Sequence, residues 1–323
     1  MQGRLRAPLP FAAIAAALAG PALSQPPELA QPVACTLGRD CYIQFLPDRD
    51  PGPGLRDAAC GPLTYDGHEG TDFAATDRAA MAAGIAVTAA AAGTVRATRD
   101  GMPDRAVTAE ARDSVAGREC GNGVVLDHEG GWRTQYCHLR RGSVAVARGD
   151  RVAAGARLGA IGMSGLASFP HVEFLLRDPA GATVDPFRPG AGCGPGGPGQ
   201  AWKQPLPYRP GGLVAVGLAD RVPDFAEIKA GLPRIAVAED ASAVVAWAHV
   251  FGGQAGDVVA LDIAGPDGPF LQERIALDKD QPLLYRAAGR RVDAPAPGVW
   301  RVEIAVIRSG LVLDSRALTV TLP

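Results

Sequence analysis

Lysine is nearly absent from this sequence. Of its 323 residues only Lys203, Lys229 and Lys279 are lysines, so no domain within residues 1–202 can carry a lysine-linked cofactor. The net charge is also small, at -2. A chain with this balance gives no electrostatic reason to expect nucleic acid as a partner.

Long apolar runs are missing as well. The run Phe11 to Leu18 is about half of the ~20 residues that a membrane span requires, and no other stretch qualifies. This run follows Arg4 and Arg6, so we interpret residues 1–24 as a secretory signal peptide that is cleaved after Ser24. We therefore expect an exported protein, periplasmic or extracellular, with no transmembrane segment after cleavage.

The sequence contains no C-x-x-C pair, which excludes a zinc site built from cysteines. Its six cysteines, at positions 35, 41, 60, 120, 137 and 193, are expected to form disulfides in an exported protein. The sequence leaves roughly 15 connectivities open. Among them we expect Cys35 to pair with Cys41.

Glycine and proline divide the chain, and 41 glycines with 28 prolines argue against long helices. Residues 25–60 are rich in turn residues and are interpreted as a covering segment pinned by its cysteines. Residues 61–190 show short apolar runs between glycine turns, which predicts an antiparallel all-β unit. A Gly/Pro-rich linker is predicted at 191–210, and six or seven alternating segments in 211–323 predict an immunoglobulin-like β-sandwich.

Within the N-terminal part, seven strands and a surface loop are placed more closely. The loop is predicted at Asp100 to Glu119, where the sequence is charged and unpatterned. The strands are predicted at Ile85 to Thr88, Gly93 to Thr98, Gly123 to Asp127, Trp132 to Leu139, Ser143 to Ala147, Arg157 to Met163 and His171 to Leu176.

The last of these strands carries two chemical groups on one face. Because side chains alternate along a strand, His171 and Glu173 point the same way and their apolar neighbours point the other way. Two further groups of metal-binding residue types lie upstream, within Asp66 to Phe73 and within Tyr136 to Leu139. Together the three groups predict a zinc site.

These residues resemble the lysostaphin-like zinc endopeptidases, which cut peptide bridges in bacterial cell-wall peptidoglycan. The resemblance covers roughly Tyr65 to Phe187. It rests on the order and spacing of six blocks: Gly67-His68-Glu69-Gly70-Thr71-Asp72-Phe73, Ala86 to Val95, Gly121 to His128, Tyr136-Cys137-His138-Leu139, Gly149 to Gly155, and Pro170-His171-Val172-Glu173-Phe174 followed by Val184-Asp185-Pro186-Phe187.

The resemblance implies a lysostaphin-like β-core and an exported zinc metalloendopeptidase whose substrate is a peptidoglycan peptide. Carried over by position, His68, Asp72 and Glu173 would hold one Zn²⁺ ion, and His138 and His171 would be the catalytic residues. Glu173 stands where the family has the second His of its H-x-H motif. A carboxylate oxygen can take that place, because it also binds Zn²⁺.

The sequence suggests three alternatives, of which two remain open. The first is a catalytically silent family member that binds peptidoglycan or regulates another cell-wall hydrolase. The glutamate at position 173 is the reason to consider it. The second is a carrier module: the run Gly149 to Gly162 resembles the hairpins of biotinyl or lipoyl domains, but the missing lysine excludes it. In the third, the C-terminal sandwich is the functional domain and binds a cell-wall or protein partner.

Four other residues invite a functional interpretation. Glu69 is an alternative base, but in an extended backbone its side chain would point away from that of His68. His128 precedes a glycine turn and is interpreted as a hairpin-end residue. His249 is interpreted as a packed or surface strand residue. The sequence leaves open whether Tyr65 lines a groove or packs.

Overall fold

A computed structural model describes residues 25–107, 109–190, 192–194 and 199–322, so the predicted signal peptide lies outside the described residues. Strands make up nearly all of the regular structure, and nearly all strand pairs are antiparallel. The predicted all-β fold is therefore confirmed. No helix in the described ranges is long and apolar enough to cross a membrane.

Among the described residues, the first unit contains ten strands, one short α-helix, α1, and two 3-10 helices, at Ala109–Val115 and Glu129–Gly131. The first of these 3-10 helices lies within the predicted surface loop. The bounds of the strands and of α1 are β1 (Cys41–Phe45), β2 (Thr71–Ala75), α1 (Arg78–Ala83), β3 (Ala86–Thr88), β4 (Gly93–Arg99), β5 (Asn122–Asp127), β6 (Arg133–Leu139), β7 (Arg151–Val152), β8 (Arg157–Ala160), β9 (His171–Arg177) and β10 (Thr183–Val184). One sheet has the order β1-β2-β9-β6-β5-β4-β7, with β10 paired to β9. Strands β3 and β8 form a separate pair.

The apolar face of the large sheet packs around Trp202. The rings of Phe73, Phe174 and Phe187 lie between 5.5 and 5.9 Å from its ring. Burying one such side chain contributes about 1.5–3 kcal/mol. Trp202 belongs to the predicted linker, so the described residues 199–210 are packed against the first unit.

The predicted strand at Ser143 to Ala147 is wrong. The backbone N–H of Val144 donates to Asp100 Oδ2 at 3.2 Å, and the N–H of Ala147 donates to Asp150 Oδ2 at 2.8 Å. Since these carboxylates bind the N–H groups that a neighbouring strand would need, the segment is a loop.

Three disulfides connect the cysteines. Cys35 pairs with Cys41, as predicted, Cys60 with Cys193, and Cys120 with Cys137. The second bond joins the N-terminal segment to the region after the last strand of the first unit. The third lies directly beside His138.

The C-terminal part consists of two four-stranded sheets around one apolar core, and a helix, α2, lies outside them. The bounds are β11 (Gly212–Ala219), α2 (Phe225–Ala230), β12 (Ile235–Ala236), β13 (Ala243–Gly253), β14 (Val258–Gly265), β15 (Gly268–Ala276), β16 (Gln281–Arg291), β17 (Gly298–Arg308) and β18 (Leu311–Leu322). The sheet orders are β12-β11-β13-β16 and β15-β14-β17-β18.

The sandwich packs directly on strand β1 of the first unit. The rings of Tyr42 and Phe251 are 5.0 Å apart, and Gln44 Nε2 donates to the carbonyl of Pro282 at 2.9 Å. Arg316 reaches across in the opposite direction and donates to the carbonyl of Gly38 at 2.9 Å. Because β1 pairs with β2, the sandwich supports the strand that carries Asp72.

His249 should make the sandwich sensitive to acid. It is buried under Phe225, neither ring nitrogen has a hydrogen-bond partner, and burial, with a smaller effect of Lys229, lowers its pKa from 6.5 to about 4. The unfolded chain therefore binds a proton at higher pH than the folded chain does. The stability from neutral His249 is full above pH 6.5 and is lost as pH falls through 4, by up to about 3 kcal/mol.

Urea unfolding at several pH values between 4 and 7 measures this loss. The variant His249→Leu should unfold with a clearly smaller pH dependence than the unchanged protein. His128→Leu, which changes a histidine in the first unit, is the matched control and should retain the acid sensitivity of the sandwich. Equal pH dependence in the His249→Leu variant and the unchanged protein would contradict the prediction.

Candidate metal centre and catalytic site

Strand register brings the first site residues together. Asp72 on β2 and Glu173 on β9 are direct cross-strand partners in an antiparallel pair. Partners in such a pair present their side chains on the same face, about 5 Å apart at Cβ. His171 precedes Glu173 by two residues and shares that face. Local sheet geometry therefore positions three of the five predicted residues.

His68 completes a group that can hold a metal ion. One donor atom each from His68, Asp72 and Glu173 lies within 4.8 Å of the other two. His68 Nε2 is 3.4 Å from Asp72 Oδ1, and His68 Nδ1 is 3.8 Å from Glu173 Oε1. The resemblance assigned these three residues to the metal, and the structure brings their donor atoms together.

The donors of this group lack partners within the protein. Both ring nitrogens of His68 and Asp72 Oδ1 are buried without a hydrogen bond. A buried polar atom without a partner lowers the stability of the folded protein by about 1–3 kcal/mol. A cation bound between these atoms would give them a partner. One nitrogen and two carboxylate oxygens are ligands that Zn²⁺ accepts. The residues present therefore fit a zinc ion.

The charges in this group act on one another. Burial disfavours ionised His68, but the carboxylates of Asp72 and Glu173 outweigh it and raise the pKa of His68. Burial likewise opposes the Asp72 carboxylate, and the neighbouring histidines His68 and His171 outweigh it and lower its pKa. The protein alone therefore favours a carboxylate at Asp72, which is the form that binds a cation.

His138 and His171 lie beside the carboxylates, with Nε2 facing them. His171 Nε2 is 3.8 Å from Asp72 Oδ1, and His138 Nε2 is 3.5 Å from Glu173 Oε2. On each ring Nδ1 contacts a carbonyl oxygen: that of Phe169 at 2.9 Å for His171, and that of Ser164 at 2.7 Å for His138. A carbonyl only accepts, so Nδ1 carries a proton, and in the neutral form of either ring Nε2 keeps its lone pair.

Burial also lowers the pKa of His171 to about 4. The ring is therefore neutral at pH 7. The two imidazoles are 4.6 Å apart between ring centroids, so both Nε2 atoms can reach one small ligand at the site. This arrangement supplies two proton acceptors next to a metal-binding group.

The backbone of His138 departs from a regular strand. Its φ is +63°, in the left-handed region that side chains other than glycine rarely adopt. Cys137 is the cross-strand partner of Glu173, so regular alternation would turn His138 to the opposite face. The left-handed residue breaks the alternation and brings the imidazole to Glu173. Its N–H donates to the carbonyl of Cys120 at 2.7 Å, next to the Cys120–Cys137 disulfide.

Two buried polar residues, Ser164 and Asn122, hold His138 in place, and the sequence analysis did not predict this role for them. Ser164 accepts the Nδ1 proton of His138 with its carbonyl, while its hydroxyl donates to the carbonyl of Leu139 at 2.8 Å. Asn122 donates to the same Leu139 carbonyl at 3.1 Å, and its own N–H donates to Ser164 Oγ at 2.8 Å. Asn122 lies in one of the motif blocks, but no sequence signal marks Ser164.

Aromatic rings form one wall of the site. Tyr65 is 48% exposed and its ring lies 4.3 Å from that of His68, while Phe169 stacks on His171 at 4.3 Å. Phe45 contacts both Tyr65 and Phe169. Burial and the charges of the two site carboxylates raise the pKa of Tyr65, so its hydroxyl remains a donor. Tyr65 therefore packs against His68 while part of its surface stays exposed to solvent.

Two other titratable residues of the motif blocks are directed elsewhere. Glu69 forms an ion pair with Arg177 at 2.8 Å on the surface. His128 contacts the carbonyl of Ala92 with Nδ1 and the hydroxyl of Thr134 with Nε2, at the end of strand β5. Neither side chain is one of the three that converge at the metal-binding group.

A family model describes this region of the chain. Residues 66–186 match the model of Peptidase family M23. The chain contains an M23 peptidase domain. The matched range lies within the stretch from Tyr65 to Phe187 on which the sequence resemblance rested, and that resemblance is confirmed. All five predicted site residues lie inside the M23 domain.

Fifty chains of solved structures are similar to this protein. A mutant catalytic domain of the prophage-encoded M23 protein EnpA from Enterococcus faecalis is 23% identical, with 49% of this chain and 98% of that chain covered and a TM-score of 0.33. The catalytic domain of lysostaphin from Staphylococcus simulans is 20% identical, with 46% and 90% covered and a TM-score of 0.29.

A chain from the SpoIIQ-SpoIIIAH pore-forming complex is 22% identical, with 50% of this chain and 90% of that chain covered and a TM-score of 0.36. At these TM-scores the structural likenesses carry no argument about the chemistry of this protein. The comparison with curated proteins gives no match.

Gly70 of the M23 domain leaves the space that Glu173 occupies. A Cβ atom at Gly70 would lie 2.4 Å from Glu173 Cγ and 2.8 Å from its Oε1. Because the Glu173 side chain is flexible, Gly70→Ala should displace this carboxylate rather than unfold the domain. We expect zinc affinity to fall about tenfold, as when the support of a metal ligand is lost.

Competition with a coloured chelator measures this affinity. The matched control is Gly199→Ala, where no atom lies within 4 Å of the added Cβ. The control should bind zinc like the unchanged protein. If Gly70→Ala also binds zinc with unchanged affinity, the carboxylate of Glu173 does not contribute to the metal site.

Proposed function

We propose that this protein is an exported zinc metalloendopeptidase that hydrolyses peptide bonds of bacterial cell-wall peptidoglycan. The observation that carries the proposal is the convergence of His68, Asp72 and Glu173 to within 4.8 Å, with Nε2 of His138 3.5 Å from Glu173 Oε2 and Nε2 of His171 3.8 Å from Asp72 Oδ1. The M23 domain supports the peptidase class.

Each side chain has a role in this proposal. His68, Asp72 and Glu173 would hold zinc, which when bound lowers the pKa of a water molecule and polarises the scissile carbonyl. Nε2 of His138 or His171 is placed to take a proton from the attacking water and to return it to the leaving amine. The carbonyls of Ser164 and Phe169 keep both rings in the required tautomer.

Glu173 changes the electrostatics of the site. One imidazole with two carboxylates carries one more negative charge than two imidazoles with one carboxylate. Such a set should bind Zn²⁺ but reduce its Lewis acidity, and it should accept Mn²⁺ more readily, because oxygen ligands suit that ion. We therefore propose a slower enzyme than one with histidine at position 173.

Loss of turbidity from purified cell walls tests the proposed activity. The protein should clear the suspension, a chelator should stop the reaction, and Zn²⁺ should restore it. His68→Ala should be inactive, while His128→Ala, which changes a histidine outside the site, should remain active. Cell walls that stay intact with zinc-loaded protein would refute the hydrolytic function.

A catalytically silent cell-wall protein is the second candidate. Glu173 favours it, because this carboxylate lies between His68 and His138 and can pair with either imidazole without a metal. A silent member would show no saturable zinc binding by calorimetry yet would still sediment with cell walls. Zinc binding with sedimentation but without cleavage would assign the protein to regulation of another hydrolase.

Export and partner binding complete the proposal. The N-terminal sequence has the layout of a signal peptide, and three disulfides suit an oxidising compartment. We place the protein in the periplasm or outside the cell. The C-terminal sandwich is proposed to contact the cell wall or a protein partner.

A further inference from the structure

The loop between β4 and β5 forms a second pocket, next to the segment that holds His138. Its volume is about 550 Å³. Three arginines, Arg99, Arg105 and Arg118, and one acidic residue, Asp100, contribute the charged groups of its lining. Gly165, the neighbour of Ser164, also lines it. The pocket therefore lies one residue away from the carbonyl that positions His138.

The three guanidinium groups are available to a ligand. Among the described residues none of the three has a carboxylate within 4.0 Å, although the charge of Arg99 acts on Glu119 at longer range. Arg99 donates one hydrogen bond to the carbonyl of Gly121, and Arg118 donates one to that of Ser114, both at 3.3 Å. Each guanidinium has five N–H donors, so most donors of the group remain free.

The acidic residues nearby are occupied by backbone donors. Asp100 Oδ1 accepts from the N–H groups of Gly101 and Gly142, at 2.6 and 2.7 Å, and its Oδ2 accepts from Val144. Glu119 accepts from the N–H of Gly117 at 2.8 Å. These hydrogen bonds hold the carboxylates in place, and with three arginines and one aspartate among its lining residues the pocket has excess positive charge.

The floor of the pocket is apolar. Val107 and Val115 are buried, and Met102 is half-buried beside them. Asn122 fixes the backbone of Met102 with two hydrogen bonds of 2.8 Å. The floor is therefore tied to the same asparagine that supports the strand end at His138.

We propose that this pocket binds a carboxylate borne on a short hydrocarbon group, such as the acidic end of a peptide. Arginine's planar fork matches the two oxygens of a carboxylate, and the valine floor favours a hydrocarbon over a fully hydrated ion. The binding itself needs no metal. In the peptidase proposed above, the pocket would hold an acidic peptide so that its chain passes His138. This role of the pocket rests on the proposed function.

Methyl NMR on the full-length, chelator-treated protein tests the binding. Met102 lines the pocket, whereas Met81 and Met163 do not, so labelled methionine methyl groups provide a reporter and two references. Three probes are titrated: N-acetyl-valine, its uncharged amide, and inorganic phosphate. We expect a saturable shift of Met102 with N-acetyl-valine and weaker effects of the other two probes.

Two variants connect the shift to the arginines. Arg105→Gln and Arg118→Gln should each weaken N-acetyl-valine binding about tenfold or more, the usual effect of losing a charge-assisted hydrogen bond. Arg148→Gln, an exposed arginine outside the pocket, is the matched control and should bind normally. His68→Ala should also bind normally, so loss of hydrolysis and loss of this binding are distinguishable.

Three outcomes would overturn the inference. If the uncharged amide binds as tightly as the acid, the carboxylate is not recognised and the pocket is merely apolar. Equal binding of phosphate would reject the hydrocarbon-borne carboxylate as the specific ligand. A Met102 signal that does not respond to N-acetyl-valine, with the references sharp and the protein folded, would reject the pocket as a site.

Discussion

Replacing His138 with alanine should reduce peptide hydrolysis by about 10²–10⁴-fold and leave zinc affinity nearly unchanged. His138 donates from Nδ1 to the Ser164 carbonyl and presents Nε2 towards Glu173, 3.5 Å from its Oε2. It is not one of the three residues that converge as a metal-binding group. Its loss should therefore remove a proton acceptor without removing a ligand.

Hydrolysis of a defined peptide and chelator competition for zinc, both on the same preparation, measure the two effects. His128→Ala is the matched control, because the ring nitrogens of His128 contact the carbonyl of Ala92 and the hydroxyl of Thr134, at the far end of β5. It should leave both quantities unchanged. A parallel loss of zinc affinity in His138→Ala would identify His138 as a metal ligand, and an unchanged rate would exclude it from catalysis.

Alternation and motif spacing could predict a large part of the site. His171 and Glu173 share a strand face by the period of two alone, and β2 then places Asp72 opposite Glu173. The path of His138 could not be predicted in this way. A left-handed residue breaks the alternation, and the interactions that hold it there come from Cys120 and Ser164, which are distant in sequence.

The strands show the same limit. The sequence predicted β9 from its alternation. The alternating segments that it predicts within residues 211–323 are Arg234 to Val237, Ala243 to Val250, Val258 to Ile263, Arg274 to Leu277, Trp300 to Arg308 and Leu311 to Val320. It therefore predicted β17 but missed β11 and β16. Strand β11 begins at glycine and runs almost uniformly buried, so it lacks a polar face to mark its period. Strand β16 contains Pro282 and several arginines, and its place is set by pairing with β13. For both β11 and β16, pairing with other strands rather than the local sequence pattern determines that the segment is a strand.

Glu173→Ala is expected to lower zinc affinity by more than about 100-fold, the upper range for loss of a residue that only supports a ligand. The carboxylate lies 3.8 Å from His68 and directly across from Asp72, so its removal leaves two donors. The protein should remain folded, because Glu173 is half-buried and the core side chains of β9 are Val172, Phe174 and Leu176. Calorimetry with Zn²⁺ and a melting curve without metal separate affinity from stability.

Glu173→His then tests why the carboxylate matters. Histidine removes one negative charge from the site, so bound zinc should become a stronger Lewis acid and hydrolysis should become faster. Preference for Zn²⁺ over Mn²⁺ should rise in the same variant, since nitrogen replaces a hard oxygen ligand. Glu173→Gln, which removes the charge without supplying an imidazole, is the control and should lose affinity. If Glu173→His binds zinc tightly but hydrolyses no faster, the charge of Glu173 is not what limits the rate, and the proposed electrostatic role of this residue is wrong.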